Sequence, residues 1–392
     1  MRILMTTKSG AGHFGPLIPF AHAFRHAGAD VLIAAPRGAA AMVRSEGLSL
    51  WAFDDPPDGE RDAIFAEVRD AKQPPAARVV GDVFARIDAR AAYPGLFTAC
   101  QVWRPDVVIS EITEFAGPLA AEAMGVPSIA IGISQQGKLD QVASDFVGAI
   151  DDLRAHFGLA RDPAGQRFRG RPMLTLMPAA LEDPLTPPSL PPLRFREGAD
   201  TRVGRRTPRW ATGDEPPLVY VTFGSMTPLS DRYPGVYRET IDALAGLPIR
   251  VLVTVGRDAD PARLEPVPAN VHLGRWVPQN EVMPHAAAMI CHGGSGTVTM
   301  GLAAGIPMVV VPLFADQPWN AERVAALGAG IAVQGGMDSA AAVGEAVRRV
   351  LREPSYREAA EGVAAEMRAL PPVDAAIHVV RDLIAAIERR AA

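Results

Sequence analysis

"CHGGSGTVTMGLAAGIP", residues 291–307, decides how the rest of the chain reads. An apolar run ends at Cys291, the glycines Gly293, Gly294 and Gly296 follow at once, and a helical pattern then begins. Strand, glycine-rich loop and helix in that order present backbone N–H groups and the positive end of a helix dipole, which together suit an anion. His292 adds a ring N–H, and Ser295 and Thr297 add hydroxyls. Alone, such a turn is more often a capped helix start than a binding site, so its surroundings decide.

Those surroundings are specific. "GRWVPQ", residues 274–279, comes before the loop, and its Trp276 is a flat apolar surface suited to stacking on a nucleobase. "PLFADQPWNAERV", residues 312–324, comes after it and follows an apolar run at Met308–Val311. Asp316 and Gln317 therefore belong at the same sheet edge as His292, where an acid beside an amide suits sugar hydroxyls. Candidate partners for base, diphosphate and sugar thus occur in order along one short segment.

A second glycine loop opens the chain. "SGAGHFGP", residues 9–16, follows Ile3-Leu4-Met5 and spells G-x-G-x-x-G through Gly10, Gly12 and Gly15, a dinucleotide fingerprint. That fingerprint needs an acid at the end of the next strand, yet the strand ends Ala34-Ala35-Pro36-Arg37, and Asp30 precedes it. Arg37 keeps an NADP-dependent reductase as a minority alternative. Pro16 suits a first helical turn, which leaves His13 on the strand-to-helix loop.

Around both loops, short apolar runs alternate with helical patterns, as in a parallel sheet covered on both faces. Strands are expected at Arg2–Thr6, Val31–Ala35, Val107–Ser110 and Ser128–Ile131, then at Leu218–Phe223, Ile249–Val255, Ala288–Cys291, Met308–Val311 and Gly330–Val333. Helices are expected at Leu17–His26, Glu114–Met124 and Val373–Arg389. From Thr186 to Pro217 prolines and arginines cluster without apolar period, which reads as a connection. The predicted fold is α/β: two Rossmann-like domains facing across a cleft. Their spans are 1–200 and 217–372, with a linker at 201–216 and a C-terminal helix at 373–392 expected to pack back toward the first domain.

Composition agrees. The chain has 392 residues, 48% hydrophobic and 21% charged, enough to bury substantial cores. A net charge of −5 argues against nucleic acid, and the basic run Arg202–Arg209 reads as solvated linker. Cys100 and Cys291 form no framework and fit a reducing cytoplasm. No apolar run reaches membrane-span length, and the N-terminus does not read as a signal peptide. Oligomeric state is left open, a homodimer included.

The blocks Trp276-Val277-Pro278-Gln279, His292-Gly293-Gly294 and Asp316-Gln317-Pro318-Trp319-Asn320 resemble the W-x-P-Q, H-x-G and D-Q-x-x-N signature of family 1 glycosyltransferases. The chain looks most like their bacterial natural-product branch, which glycosylates polyketides, macrolides and enediynes. This resemblance implies the GT-B fold, with an acceptor-binding first domain and a nucleotide-sugar-binding second one. It implies His13 as general base in an inverting, metal-independent transfer to an aglycone hydroxyl. It assigns the donor to Ser225 of "VTFGSM" (221–226), Trp276, Val277, Gln279, His292, Gly293, Gly294, Ser295, Gly296, Thr297, Asp316 and Gln317. The donor is a co-substrate, so no separate cofactor is expected.

Two positions depart from the family pattern. The histidine usually pairs with an aspartate, whereas "VVISEITEF" offers Glu111, with Glu114 as second candidate. Met300 stands where many members carry a glutamate that bonds both ribose hydroxyls, so a dTDP-linked deoxysugar is expected over a UDP-sugar. Weaker signals read as structure: Asp258-Ala-Asp260 as a solvated loop, and His22 and His26 as a helix face rather than a metal pair. Phe53, Phe65, Phe84, Phe115 and Phe146 are candidates for an acceptor pocket. The alternatives are a nucleotide-sugar epimerase, the reductase, and a non-catalytic nucleotide-sugar-binding partner.

Overall fold

The computed structural model describes residues 1–57, 59–70, 78–197, 216–227, 232–257, 259–333 and 340–391. Asp258 and the basic run Arg202–Arg209 lie outside them, as does nearly all of the expected linker. The chain divides into two compact units. One comprises Met1–Met177, Glu182–Gly198 and Leu370–Ala392; the other comprises Pro178–Leu181 and Ala199–Ala369.

The first unit holds a seven-stranded parallel sheet. Its strands are β1 (Arg2–Thr6), β2 (Asp30–Pro36), β3 (Ser49–Phe53), β4 (Val107–Glu111), β5 (Ser128–Gly132), β6 (Met173–Thr175) and β7 (Leu193–Arg194). They lie in the order β3-β2-β1-β4-β5-β6-β7. β1 and β4 are buried without alternation, their apolar residues consecutive, because helices cover both faces. One face packs around Tyr93, Leu96, Phe115 and Phe146. The other packs around Phe14, Phe20, Phe24 and Phe195, and the C-terminal segment completes it with Val373, Ala376, Ile377 and Val380. The backbone ties that segment down: Arg196 N donates to Pro371 O at 3.0 Å, and Val373 N donates to Arg196 O at 2.9 Å.

The second unit repeats the plan with six parallel strands in the order β10-β9-β8-β11-β12-β13. They are β8 (Leu218–Thr222), β9 (Arg250–Thr254), β10 (Val271–Gly274), β11 (Ala286–Cys291), β12 (Met308–Val310) and β13 (Gly330–Ala332). Tyr237, Phe223 and Leu264 are fully buried in its core.

In both sheets the strand order reverses beside the unit's first strand, between β1 and β4 and between β8 and β11. Loops diverge at such a point and leave a crevice at the carboxyl edge of the strands. His13 follows β1 and Glu111 ends β4; Gly224 and His292 follow β8 and β11.

The predicted strands sit within a few residues of those found. β3, β6, β7 and β10 were not predicted. β3, β7 and β10 are half-buried or exposed edge strands; β7 and β10 lack a continuous apolar run, whereas β3 carries one at Leu50–Phe53. β7 falls inside the stretch read as a connection from Thr186, whose start therefore belongs to the first sheet. Among the described residues no helix is long and apolar enough to cross a membrane.

Candidate active site

In the first unit, Gly10 takes φ 111°, a conformation suited to glycine, and its carbonyl accepts the amides of His13 and Phe14 at 3.1 Å each. The short helix Ala11–Phe14 starts there and carries His13 beside the end of β4. His13 Nδ1 lies 3.3 Å from Glu111 Oε2, with the imidazole 24% exposed and the carboxylate fully buried. This is an ion-pair approach rather than an aligned hydrogen bond. Such catalytic contacts are commonly loose before substrate binds.

Glu111 is held from its other side. Its Oε1 accepts from Thr113 N at 2.8 Å and Thr113 Oγ1 at 2.6 Å. Lys8 Nζ donates to Thr113 Oγ1 at 2.7 Å and lies 3.9 Å from Glu111 Oε2. Burial alone would raise the Glu111 carboxyl, but the adjacent Lys8 and His13 and the Thr113 bond overcome it and hold the pKa at about 2.

Glu114, the alternative partner, faces elsewhere. It takes the Thr6 hydroxyl and the amides of Ala116 (2.8 Å) and Gly117 (3.0 Å), capping the helix Ala116–Ala123. Burial pushes its carboxyl above the usual range.

A pocket in the same unit is walled by Phe53, Phe84, Phe115, Ala89 and Ala92, with Lys8, Arg61 and Asp88 on its polar side. The helix Arg78–Asp88 is wound as a π-helix and supplies Phe84 and Asp88. Three of the five candidate phenylalanines thus line a pocket. Phe146 packs in the core against Phe115 and Phe168, and Phe65 stands 36% exposed. Arg37 is paired with Asp54 at 3.0 Å on the exposed surface.

In the second unit the glycines shape a slot for a histidine. A Cβ on Gly224 (φ 74°) would come within 2.7 Å of His292 Nε2, and one on Gly294 within 2.5 Å. Gly293, at φ 88°, would meet Val310 and the Gln317 carbonyl. Burial pushes the His292 imidazole down to about 4, so it is neutral and offers one N–H. Its Nδ1 is buried without a hydrogen-bond partner. The helix Ser295–Ala303 begins beyond it, with Gly294 O accepting from Val298 N at 3.0 Å. Gly296 and Ser225 are exposed, while Ser295, Thr297 and Met300 are half-buried.

Asp316 and Asn320 brace this loop. Asp316 Oδ2 accepts from Ser295 Oγ at 2.5 Å and Asn320 Nδ2 at 3.1 Å. Asn320 Nδ2 also donates to the Gly293 carbonyl at 2.9 Å. Gln317 departs from expectation: it is 2% exposed, and its Oε1 accepts from the amides of Leu313 (2.8 Å) and Phe314 (2.9 Å). Its oxygen clamps its own loop.

Trp276 is 46% exposed, and the Arg257 guanidinium lies 3.5 Å over its ring. Val277 packs near Gly274, and Gln279 starts a short helix with Nε2 3.5 Å from Tyr220 Oη. Among the described residues no cluster of three or more His, Cys, Asp or Glu is arranged for a metal. His22 lies 3.9 Å from Glu46.

Comparison with known proteins matches this geometry. Residues 238–385 fit a family model described as the C-terminal domain of erythromycin biosynthesis protein CIII-like proteins. The chain is 31% identical to the L-demethylnoviosyl transferase of Streptomyces niveus, covering 95% of this chain and all of that one. It is 30% identical to the elloramycin glycosyltransferase ElmGT of Streptomyces olivaceus, covering 96% of each. The crystal structure of the glycosyltransferase SnogD from Streptomyces nogalater superimposes with a TM-score of 0.77 at 26% identity, covering 98% of this chain and 99% of that one. Similarity of this length, on two parallel α/β units with glycine loops at their switch points, leaves one conclusion: the chain belongs to the GT-B glycosyltransferases of antibiotic natural-product pathways and is itself a glycosyltransferase.

Proposed function

We propose that this enzyme transfers a deoxysugar from a dTDP-sugar to a hydroxyl of an apolar aglycone, with inversion at the anomeric carbon. The observation that carries this reading is the imidazole of His13, whose Nδ1 lies 3.3 Å from the buried, ionised Glu111. Glu111 stabilises the imidazolium and leaves Nε2 to take the acceptor's proton. The acceptor oxygen then forms its bond to C1 of the sugar as the bond from C1 to the diphosphate oxygen breaks. One displacement inverts the carbon.

The leaving diphosphate gathers negative charge. In this reading the His292 N–H and the backbone amides of the first turn of the helix Ser295–Ala303 stabilise it. Trp276 stacks on the base, and Asp316 faces the sugar hydroxyls. Cationic help from a metal is not needed in this scheme, so turnover is expected to survive a chelator. Met300 argues for dTDP, because a thioether is a poor acceptor for two ribose hydroxyls and a 2′-deoxyribose presents one fewer. The apolar character of the acceptor is read from Phe53, Phe84 and Phe115, which gather beside Lys8 and Asp88.

The test is a donor panel run against aromatic and macrolide aglycones, with the anomeric configuration of each product read by NMR. The expected result is turnover with dTDP-deoxysugars and an inverted product. UDP-glucose as the best donor would overturn the donor assignment, and a retained configuration would overturn the single displacement.

A further inference from the structure

Lys8 has no role in the mechanism so far, yet it is a lysine with a 7% exposed side chain. Buried lysines are rare unless something needs the charge. We infer that Lys8 is a positioning residue for the transfer: through Thr113 it fixes the Glu111 carboxylate, and by its charge it limits how tightly Glu111 holds the His13 imidazolium. The inference rests on the reading of His13 as the base.

The geometry supports both halves. Thr113 is a relay: its hydroxyl accepts from Lys8 Nζ and donates to Glu111 Oε1, which orients the carboxylate so that Oε2 faces His13. The ammonium also lies 2.9 Å from the centroid of Phe84, whose ring meets His13 edge-on at 5.6 Å. Phe84 therefore shields the cation from water and confines the imidazole, and a cation in low dielectric acts strongly on its neighbours.

Lys8 and His13 share one carboxylate oxygen, Glu111 Oε2, at 3.9 Å and 3.3 Å. Each positive charge weakens the hold of the other. Further out stand Asp88 and its partner Arg61 at 3.3 Å, the Glu114 cap, and Arg171, which donates to Ser110 Oγ at 2.9 Å. Among these groups Lys8 is the cation nearest the dyad. Burial lowers its pKa to about 8, so it is still largely charged at neutral pH.

Without Lys8, Glu111 would serve His13 alone. The imidazolium would become more stable, and the base would stay protonated to higher pH. This is tested on the full chain with isotope-labelled histidine, following the His13 signal (identified by its loss in His13→Ala) across pH, beside the pH profile of kcat/KM. In Lys8→Met the His13 midpoint and the acid limb of the profile are both expected to rise by about one pH unit. Unchanged dTDP binding and melting behaviour would show that the variant is folded. A His13 midpoint that stays put in the folded variant overturns the inference. A midpoint that rises while the acid limb does not would leave Lys8 acting on His13 but overturn His13 as the base.

Should Lys8→Met fail to fold, Thr113 carries the test. Thr113→Val is expected to lower kcat by about 10-fold with donor KM unchanged, and Thr113→Ser to restore it. Full kcat in Thr113→Val overturns the relay.

Discussion

The two glycine loops occupy comparable crevices and do opposite things. In the first unit, a Cβ on Gly12 or Gly15 would meet nothing within 4 Å, so only Gly10 is forced by its backbone. The loop is slack around a histidine that is 24% exposed and faces a carboxylate. In the second, Gly224 and Gly294 are required by the ring of His292, which is half-buried like His13 but packed against backbone, and which is held neutral. One arrangement suits a group that must gain and lose a proton. The other suits a fixed donor whose charge does not change. Glycine spacing alone does not separate them, since the first loop also spells the dinucleotide fingerprint.

That contrast can be attacked at several points. The largest effect is expected from Glu111→Gln, which should lower kcat by about 10²- to 10⁴-fold. Removing the carboxylate destabilises the imidazolium, so the acid limb of kcat/KM should move to lower pH, opposite to the shift expected for Lys8→Met. A limb that stays put would detach Glu111 from His13.

Next comes steric compulsion. Gly294→Ala should weaken dTDP binding measured by calorimetry and cost about 1–3 kcal/mol of stability, because the new Cβ meets His292. Gly12→Ala should keep or raise the melting temperature, since the site is open and lies in a helix. Equal behaviour of the two variants would erase the difference between the loops.

The smallest effect is a pH dependence. His292 titrates at about 4 when folded against an ordinary 6.5, so its contribution is complete above pH 6.5 and is lost as pH falls toward 4. The melting transition that dTDP raises should therefore drop across that window, and His292→Gln should flatten the slope.

Much of this was legible beforehand. β1, β4, β8 and β11 are continuous apolar runs, and His13, Glu111, His292 and Asp316 each follow a strand that the pattern locates. What escaped was set by tertiary contact. Lys8 is an ordinary residue in a list; only the parallel pairing of β1 with β4 brings it to Thr113 and Glu111. Asn320 was visible in the third signature block, but its bond to the Gly293 carbonyl required the fold. The second task of Gln317 was not legible either, because an amide suited to sugar hydroxyls equally suits the two backbone N–H groups that its Oε1 accepts.

The division of labour between the two histidines is tested most directly by measuring turnover and dTDP affinity in His13→Ala and His292→Ala side by side. The account predicts that His13→Ala loses about 10²- to 10⁴-fold in kcat with dTDP affinity intact, while His292→Ala loses dTDP affinity. Full turnover in His13→Ala, or unchanged dTDP binding in His292→Ala, would contradict it.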